Sequence, residues 1–424
     1  MKKVFNEKKW ALVIFLVTIF FQNFALISNE SFGIAASTVV LAVFAFRYRL
    51  INRISKGFFS FVVGLFITLL ITSAVNAYCN ISQVLRLFMI VFDGIVSYRF
   101  IKVNSKAAGM CDFVFKALSI ITIIMCLYGV YQYVAVSHHW PHFMNIFNNN
   151  TSYKPRGVFD YYGGWTSSFG RIYGVCSEPS FYASILCIDF VILWESPIRN
   201  KIINFAQIMI IVNIILTGAR SGWGIFACII LSIIATTLFR RENLSIKMIQ
   251  FVVVFIPIIT FFFMNYLVVI ANKGYSDASA LSRTLSAQYY LNEVFDSINS
   301  VLFGHGLGYS WSLDLTNERY IEAVAHNGYI EIMYLLGIPF LFFLLYQINL
   351  LSKKLPDQVL RTIFLMVAVS MCMFGSDYNI ESNIELFFVM FALFEVISSS
   401  EMKIKTNSIK KIVDEKDTVS VSVI

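Results

Sequence analysis

Charged residues are scarce in this sequence of 424 residues. Asp, Glu, Lys and Arg together supply 14% of it, whereas soluble globular domains carry about 25%. Apolar residues supply 58%, and they occur in uninterrupted runs of about 15–20 residues, long enough to approach the thickness of a bilayer. This composition excludes a soluble enzyme, a disordered chain and a fibrous repeat. It also excludes an outer-membrane barrel, in whose strands apolar and polar residues alternate.

The patterns of nucleotide and metal sites are also missing. The run Gly304-His305-Gly306-Leu307-Gly308 contains GxGxG, but it follows a predicted helix rather than a strand, which excludes a dinucleotide-binding fold. No Cys, Asp or Glu is spaced to complete a zinc site with the histidines of the loops. We therefore expect neither a cofactor nor a metal. Four of the five histidines are interpreted as loop residues: His138, His139, His142 and His305.

Apolar runs between charged breaks predict twelve transmembrane helices. The fold class predicted is an all-α integral membrane protein, with residues 1–400 in one polytopic domain and a polar tail over 401–424. The first run is too long for a cleaved signal peptide. The predicted spans are Trp10–Ile27, Phe32–Phe46, Gly57–Val75, Val84–Phe100, Phe113–Val136, Pro179–Trp194, Ile202–Leu216, Gly222–Phe239, Met248–Ala271, Asn327–Ile348, Arg361–Phe374 and Ile384–Ser398.

The distribution of positive charge predicts the orientation. With the N-terminus in the cytoplasm, 25 of the 33 Lys and Arg residues fall on the cytoplasmic side, as the positive-inside rule requires. Both termini are then cytoplasmic, and the net charge of +8 reflects topology and contact with anionic lipid rather than a nucleic-acid surface. Two long outer loops follow, at about 137–178 and 272–326, and long ordered loops usually carry function.

The remaining eight basic residues fall on the outer side, and six of them are Arg. Arg binds phosphate or carboxylate through two parallel hydrogen bonds more readily than Lys does. An anion site at the outer face is therefore predicted. Arg220 is its most informative candidate, because the small residues from Thr217 to Gly224 restrict its position; the alternative is snorkelling to lipid headgroups. The eight are Arg86, Lys154, Arg156, Arg171, Arg220, Lys273, Arg283 and Arg319.

Acidic residues inside or beside the spans are further candidates. Glu178 precedes Pro179 at the start of a span, where it either caps the helix or orients an Arg or a sugar hydroxyl. Asp93 lies seven residues after Arg86 on one face of its span, and a carboxylate at that depth needs a partner or a wet cavity. Asp189 and Glu331 are placed similarly.

His326 differs from the other histidines. It opens the sequence His326-Asn327-Gly328-Tyr329-Ile330-Glu331, where the second long outer loop enters a span. A His at the membrane edge, on the same side as the outer arginines, suits proton transfer.

These elements, in this order, resemble the O-antigen polymerase and O-antigen ligase superfamily of bacterial membrane glycosyltransferases. One departure is Ala219, where many relatives have Ser; it weakens a role for a hydroxyl there but not for the guanidinium. The matching elements are Arg171 with Gly174 and Glu178-Pro179-Ser180, the turn Thr217–Gly222, Arg283 at the start of a loop helix, the Gly304–Gly308 run, and His326–Glu331 leading into Leu336–Pro339.

The resemblance implies a C-type glycosyltransferase fold without a catalytic metal, in the bacterial inner membrane. Its substrates would be glycans linked to undecaprenyl pyrophosphate, and its partners the lipid-linked donor and acceptor, the bilayer and a chain-length regulator. Arg171, Arg220 and Arg283 would bind the pyrophosphate, and Arg220 would also stabilise the transition state. His326 would accept the proton of the acceptor hydroxyl, with Glu331 and Glu178 as rival bases. The remaining substrate-binding candidates are Asn327, Tyr329 and Arg86.

Three functions stay open at this point. The element Glu178-Pro179-Ser180 is more typical of polymerases, which join lipid-linked repeat units, than of ligases, which transfer the finished chain to a lipid core or a protein. A flippase or another carrier is the alternative from a different class. Against a carrier stand the two long outer loops, the lack of two matching halves and the grouping of Arg and His at one membrane edge.

Overall fold

The computed structural model describes most of the apolar part of the chain. In these residues the protein is helical, apart from one small antiparallel hairpin of strands β1, Ala25–Ser28, and β2, Gly33–Ala35. The described residues are 2–21, 24–28, 33–51, 56–76, 78, 80–107, 109–138, 140, 171–176, 178–198, 200–239, 255–257, 259, 278–309, 325–374 and 383–399.

Fourteen helices are described and are numbered here in chain order. They are α1 Lys2–Phe20, α2 Ala36–Arg47, α3 Lys56–Asn76, α4 Ile81–Ser105, α5 Met110–Ser137, α6 Pro179–Trp194, α7 Lys201–Thr217, α8 Arg220–Phe239, α9 Ala278–Asp296, α10 Ile298–Phe303, α11 Gly328–Leu336, α12 Ile338–Ser352, α13 Gln358–Phe374 and α14 at 383–399.

Several of these helices are apolar enough to cross a membrane. By length and composition, Lys56–Asn76, Met110–Ala135 and Arg220–Thr237 qualify among the described residues. Five shorter apolar helices accompany them, namely α2, α6, α7, α12 and α13. The chain is thus a helical protein with membrane-spanning candidates, and the number twelve stays a prediction. The predicted ninth span, Met248–Ala271, lies almost entirely outside the described residues, as do His139, His142 and most of the first predicted outer loop. The second predicted outer loop is described over 278–309 and 325–326.

The first two predicted spans have wrong bounds. Residues 25–27 were predicted to end the first span and 33–35 to lie in the second, but they belong to strands β1 and β2. The physical reason is local. The polar residues Asn29, Glu30 and Ser31 separate two short apolar runs, a pattern that favours a hairpin over the continuation of either helix. The helix α1 consequently ends at Phe20, seven residues before the predicted end.

The tenth predicted span is also corrected. It was expected to be continuous over Asn327–Ile348, but it consists of α11 and α12, joined at Gly337 with φ of +84°. A Cβ atom at Gly337 would lie 2.4 Å from the carbonyl oxygen of Leu302. The break therefore lets the end of α10 approach the backbone between the two helices, which a continuous helix with side chains would prevent.

Two carboxylates inside the bundle are bonded to threonines. The Thr38 hydroxyl donates to Asp93 Oδ2 at 2.5 Å, joining α2 to α4. The Thr122 hydroxyl donates to Asp189 Oδ2, joining α5 to α6. Asp93 and Asp189 are fully buried. Their contacts favour the structural interpretation, in which each carboxylate joins two helices through a hydrogen bond.

Candidate functional site

The segment 171–176 is held against α5 by one glutamine. The Gln132 side-chain amide donates to the carbonyl of Gly174 at 2.7 Å, and its oxygen accepts from the backbone N–H groups of Gly174 at 2.8 Å and Tyr173 at 3.3 Å. Gly174 has φ of +59°, and a Cβ atom there would lie 2.7 Å from the ring of Tyr182. The buried amide therefore satisfies three backbone groups and fixes the position of Arg171, three residues before Gly174.

Arg171 packs on the turn between α7 and α8. Its Nε donates to the carbonyl oxygen of Thr217 at 2.9 Å. A Cβ atom at Gly218, which has φ of +57°, would lie 3.4 Å from the same nitrogen. The turn is built around the guanidinium, because glycine both adopts the left-handed conformation and leaves room for the Arg171 side chain.

Arg220 begins α8 rather than lying in the preceding turn. The first residues of α8 are fixed by Trp223, whose indole N–H donates to the carbonyl oxygen of Ile214 at 3.0 Å. Arg220 is half-buried and follows Thr217 by three residues, so Arg171 and Arg220 flank the same turn. The positive end of the α8 dipole lies at this turn too, so fixed donors and positive charge are concentrated there.

The buried side chains of the segment add no negative charge to this turn. Burial raises the pKa of the Tyr173 hydroxyl and that of the Cys176 thiol. Both groups therefore stay protonated and neutral at neutral pH. The electrostatic potential near Arg171 is set by the arginines and the helix end rather than by these two side chains.

Glu178 occupies the N-cap position of α6, where its carbonyl oxygen accepts from the N–H of Tyr182 at 3.2 Å but its side chain does not bond to the helix backbone. Its backbone is extended, and its side chain makes no cap hydrogen bond. It accepts instead from the hydroxyl of Ser180 at 3.1 Å. Of the two roles predicted for Glu178, the structure does not show the first, in which its side chain caps α6. The role in orienting an Arg or a sugar hydroxyl stays a prediction.

The start of α11 holds His326 and Asn327. Asn327 caps the helix: its amide oxygen accepts from the N–H groups of Tyr329 at 3.1 Å and Ile330 at 3.2 Å. Its amide nitrogen donates to the carbonyl oxygen of Met373 at 3.1 Å. His326 directly before it has φ of +53°, a left-handed conformation that is uncommon outside glycine. The Asn327 contacts thus hold His326 beside the end of α13.

Tyr329 and Glu331, two residues apart in α11, have different surroundings. The Tyr329 hydroxyl donates to the carbonyl oxygen of Val369 at 3.1 Å, a second link between α11 and α13. Glu331 is buried and lines an apolar cavity of about 250 Å³ between α3, α4, α11, α12, α13 and α14. The substrate-binding candidates Asn327 and Tyr329 therefore bond to the fold, and Glu331 forms part of the cavity wall.

The two groups of candidates meet at Phe374, the last residue of α13. A Cβ atom at Gly224 would lie 2.5 Å from the Phe374 ring, which places α8 directly against the end of α13. At the same end, Asn327 bonds to Met373. The start of α8, which carries Arg220, and the start of α11, which His326 precedes, thus both contact the end of α13.

Arg283 and Arg86 are more peripheral. Arg283 is half-buried in the second turn of α9, a helix whose Tyr290 packs edge-on against Tyr334 of α11 at 4.7 Å between ring centroids. Arg86 lies in the second turn of α4, beside the cavity-lining residue Gln83. Both belong to the part of the bundle around α11 rather than to the Arg171 turn.

The glycine run after α10 is a packing element. A Cβ atom at Gly304 would lie 2.5 Å from the backbone of Leu335 and Leu336. The His305 N–H donates to the carbonyl of Tyr334 at 2.7 Å, and the two rings stack at 4.3 Å between centroids. The GxGxG pattern thus permits close backbone contact with the end of α11, which explains it without a nucleotide.

Three buried polar residues of the described part of the chain were not predicted from sequence. Gln132 holds the 171–176 segment. Asn213 of α7 accepts a hydrogen bond from the buried Tyr182 hydroxyl at 3.2 Å. Glu385 is fully buried near the start of α14. The available signal was a lone amide or carboxylate within an apolar run, the criterion already applied to Asp93 and Asp189.

The described residues contain no group of three or more His, Cys, Asp or Glu side chains arranged to hold a metal ion. Comparisons with protein-family models, with curated proteins and with solved structures give no match for this chain.

Proposed function

We propose that this protein is a membrane glycosyltransferase that polymerises lipid-linked oligosaccharide repeat units of a surface polysaccharide, an O-antigen or a capsule. In this proposal it is a twelve-span protein of the bacterial inner membrane with both termini in the cytoplasm, and the reaction takes place at the outer face. The observation that carries the proposal is the turn between α7 and α8, which Arg171 and Arg220 flank at the positive end of a helix dipole.

The charge at this turn suits a pyrophosphate leaving group. During transfer, the acceptor hydroxyl attacks the anomeric carbon of the donor sugar, and the bond from that carbon to the pyrophosphate oxygen breaks. The pyrophosphate leaves with the bonding electron pair, so negative charge grows on it. Arg171 is held in place by Thr217, and fixed donors stabilise developing charge without having to reorganise.

The acceptor proton is assigned to His326. Its left-handed backbone and the Asn327 contacts hold it beside the end of α13, the helix end that the start of α8 also contacts. A positioned general base contributes about 10²–10⁴-fold to such a step. Glu331, the rival base, is buried at the cavity wall, a place better suited to contact with the bound substrate.

The apolar cavity beside Glu331 supports a lipid-linked substrate. Twenty of its 28 lining residues are Leu, Ile, Val, Phe or Met, so most of the wall matches a hydrocarbon chain better than a free sugar. Asp93 and Asp189 are bonded to threonines elsewhere in the bundle. This arrangement favours a transferase over a carrier, whose path would need accessible ionisable groups through the depth of the membrane.

Deletion of the gene, followed by gel analysis of the cell-surface glycan, tests the proposal. A polymerase mutant would carry single repeat units on the acceptor. Accumulation of long lipid-linked chains would instead assign the ligase activity, and loss of every extracytoplasmic lipid-linked repeat would assign a carrier. An unchanged glycan would remove the proposal. Complementation with wild-type protein is the control for each pattern.

A further inference from the structure

The cavity that Glu331 lines has a second end, away from Glu331, where a positively charged side chain lies in the wall. That end is formed by the start of α3 and by the turn after α12, with Gly57, Phe58, Leu351 and Lys354 in its wall. We refer to these four residues as the Lys354 mouth. The Lys354 ammonium lies 5.1 Å from the centre of the Phe58 ring. The two side chains thus form a cation–π contact at this end of the apolar cavity.

Three cations surround one carboxylate beside this mouth. Lys102 forms a salt bridge with Glu395, and the Tyr98 hydroxyl donates to the same carboxylate at 2.5 Å. Lys102 also donates to the Tyr98 hydroxyl at 2.8 Å. Glu395 is therefore engaged by Lys102 and Tyr98. Among the residues that the structure describes in this cluster, Glu395 is the acidic group, so the positive charges of Arg99 and Lys354 exceed the negative charge.

The excess charge is close enough to affect Lys354. Partial burial lowers the pKa of Lys354, and the charges of Lys102 and Arg99 lower it further, against the attraction of Glu395. The Arg99 Nε atom is buried and makes no hydrogen bond within the described part of the chain. An anion beside Lys354 would reduce the repulsion between these cations.

The mouth has room for a ligand. Gly57 and Lys354 are exposed, and a Cβ atom added at Gly57 would meet nothing within 4 Å. Immediately inside lie the buried Phe58 and then Leu65, and the wall continues with residues of α4 and α12. A polar, cationic entrance thus leads directly into an apolar interior.

We propose that the Lys354 mouth binds an anionic glycerophospholipid, with the phosphodiester at Lys354 and Arg99 and an acyl chain in the cavity. The hydrocarbon end of an isoprenoid carries no charge and would give these cations no partner. Basic residues near a membrane surface attract anionic lipid, but here the cation lines a cavity rather than the bilayer surface alone. The Lys354 mouth is the end of the cavity away from Glu331, so a phospholipid and the lipid-linked substrate would enter the same cavity from opposite ends. This inference does not require the proposed glycosyltransferase activity.

The test uses the full chain purified in a neutral detergent. Apparent melting temperature and lipid binding by native mass spectrometry are measured with phosphatidylglycerol, phosphatidylcholine, inorganic phosphate and undecaprenyl phosphate. The variants are Lys354→Gln, Lys354→Arg and, as the matched control, Lys353→Gln, because Lys353 is exposed and does not line the cavity. Phosphatidylglycerol should stabilise the wild type, Lys354→Arg and Lys353→Gln, and should bind Lys354→Gln at least about fivefold more weakly.

Each alternative result overturns the inference. Equal stabilisation of the wild type by phosphatidylcholine would show that no anionic group is recognised, and this comparison needs no variant to fold. If Lys353→Gln and Lys354→Gln weakened the binding of phosphatidylglycerol equally, the binding would depend on general surface charge and not on the Lys354 mouth. The same stabilisation by inorganic phosphate would identify a free-anion site, and a preference for undecaprenyl phosphate over phosphatidylglycerol would identify an isoprenoid site.

Discussion

Arg220 stands where its charge disfavours the helix that it begins. A cation in the first turn adds to the positive end of the α8 dipole and typically costs about 0.3–1 kcal/mol. Trp223 and the packing of Gly224 on Phe374 hold the helix start in spite of this. A destabilising charge retained at a fixed position is more easily explained by an anionic ligand than by lipid headgroups alone.

Replacing Arg220 by Lys tests this explanation. The change keeps the charge but removes the planar, two-pronged donor that matches a phosphate. We expect polymer formation to fall at least about tenfold, equivalent to about 1.4 kcal/mol in the transition state, with a normal amount of protein in the membrane. Arg156→Lys, in the predicted outer loop, serves as the control and should keep nearly full activity. Similar mild losses at both positions would indicate that Arg220 contacts lipid headgroups and does not bind the pyrophosphate.

His326→Asn separates the chemistry of His326 from its backbone conformation. The residue has φ of +53°, and Asn tolerates the left-handed region better than most residues. The variant should therefore fold with unchanged thermal stability. Because an amide does not accept the acceptor's proton, turnover in a lipid-linked assay should fall below about 1% while donor binding persists. Activity near that of the wild type would transfer the role of base to Glu331 or Glu178.

Single residues were predicted unevenly from sequence. Arg171 and Arg220 could be proposed together because Arg is unusual on the outer side, and the structure brings both to one turn. Asn327 was assigned to substrate, although its amide is used by the α11 start and by Met373. Its cap position was visible in the sequence, whereas a contact across 46 residues depends on how α11 packs against α13, which local patterns do not contain.

At the scale of elements, the contact between the Gly304–Gly308 run and the break between α11 and α12 leaves no room for an added side chain. Gly304 has φ of +65°, and an added Cβ atom would lie 2.5 Å from the backbone of Leu335 and Leu336. Backbone atoms cannot rotate away as a side-chain end can. The approach of α10 to Gly337 therefore depends on both glycines lacking a side chain.

Gly304→Ala should destabilise the protein more than Gly109→Ala. Gly109 also has positive φ, +72°, but a Cβ atom there would meet nothing within 4 Å. Gly109→Ala should thus cost only the left-handed strain, about 1–2 kcal/mol, and Gly304→Ala about 1–3 kcal/mol more from overpacking. Apparent melting temperatures of the two variants in the same detergent measure the difference. Equal decreases would mean that the backbone around Leu335 moves to accept the methyl group.

Helices were predicted better than the places where they stop. The sixth predicted span, Pro179–Trp194, coincides with α6, because a Pro and a Glu define its start and an acidic residue follows its end. The break at Gly337 was not predicted, since apolar residues continue on both sides and one glycine inside such a run is compatible with a helix. What decides the break is the carbonyl of Leu302, which comes from a different part of the chain.

At the scale of the whole molecule, composition predicted the class of fold, a helical protein with membrane-spanning helices. The number of spans, twelve, stays a prediction, because the structure identifies fewer helices that are long and apolar enough to cross a membrane among the residues that it describes. Hydropathy identifies apolar helices because lipid cannot solvate charged groups or unpaired backbone. Here it marked α1 and α11–α12 as one span each, but it placed the end of the first span seven residues beyond Phe20 and did not indicate the break at Gly337. The alternation of positive charge therefore carries the predicted topology.

Labelling of single cysteines tests this topology and with it the side of the proposed active site. The seven native cysteines are first replaced by Ala or Ser, and single cysteines are introduced at Tyr153, Asn317, Asn52 and Asn243. In intact cells, an impermeant maleimide should label positions 153 and 317, whereas positions 52 and 243 should react only after permeabilisation, because 25 of the 33 basic residues would otherwise face outward against the positive-inside rule. Position 243 is the most informative. Between Arg220 and Asn243 the chain passes through α8 alone, so labelling of position 243 from outside would put Arg171 and Arg220 on the cytoplasmic face. An outer-face transferase would then be excluded even if every other position behaved as expected.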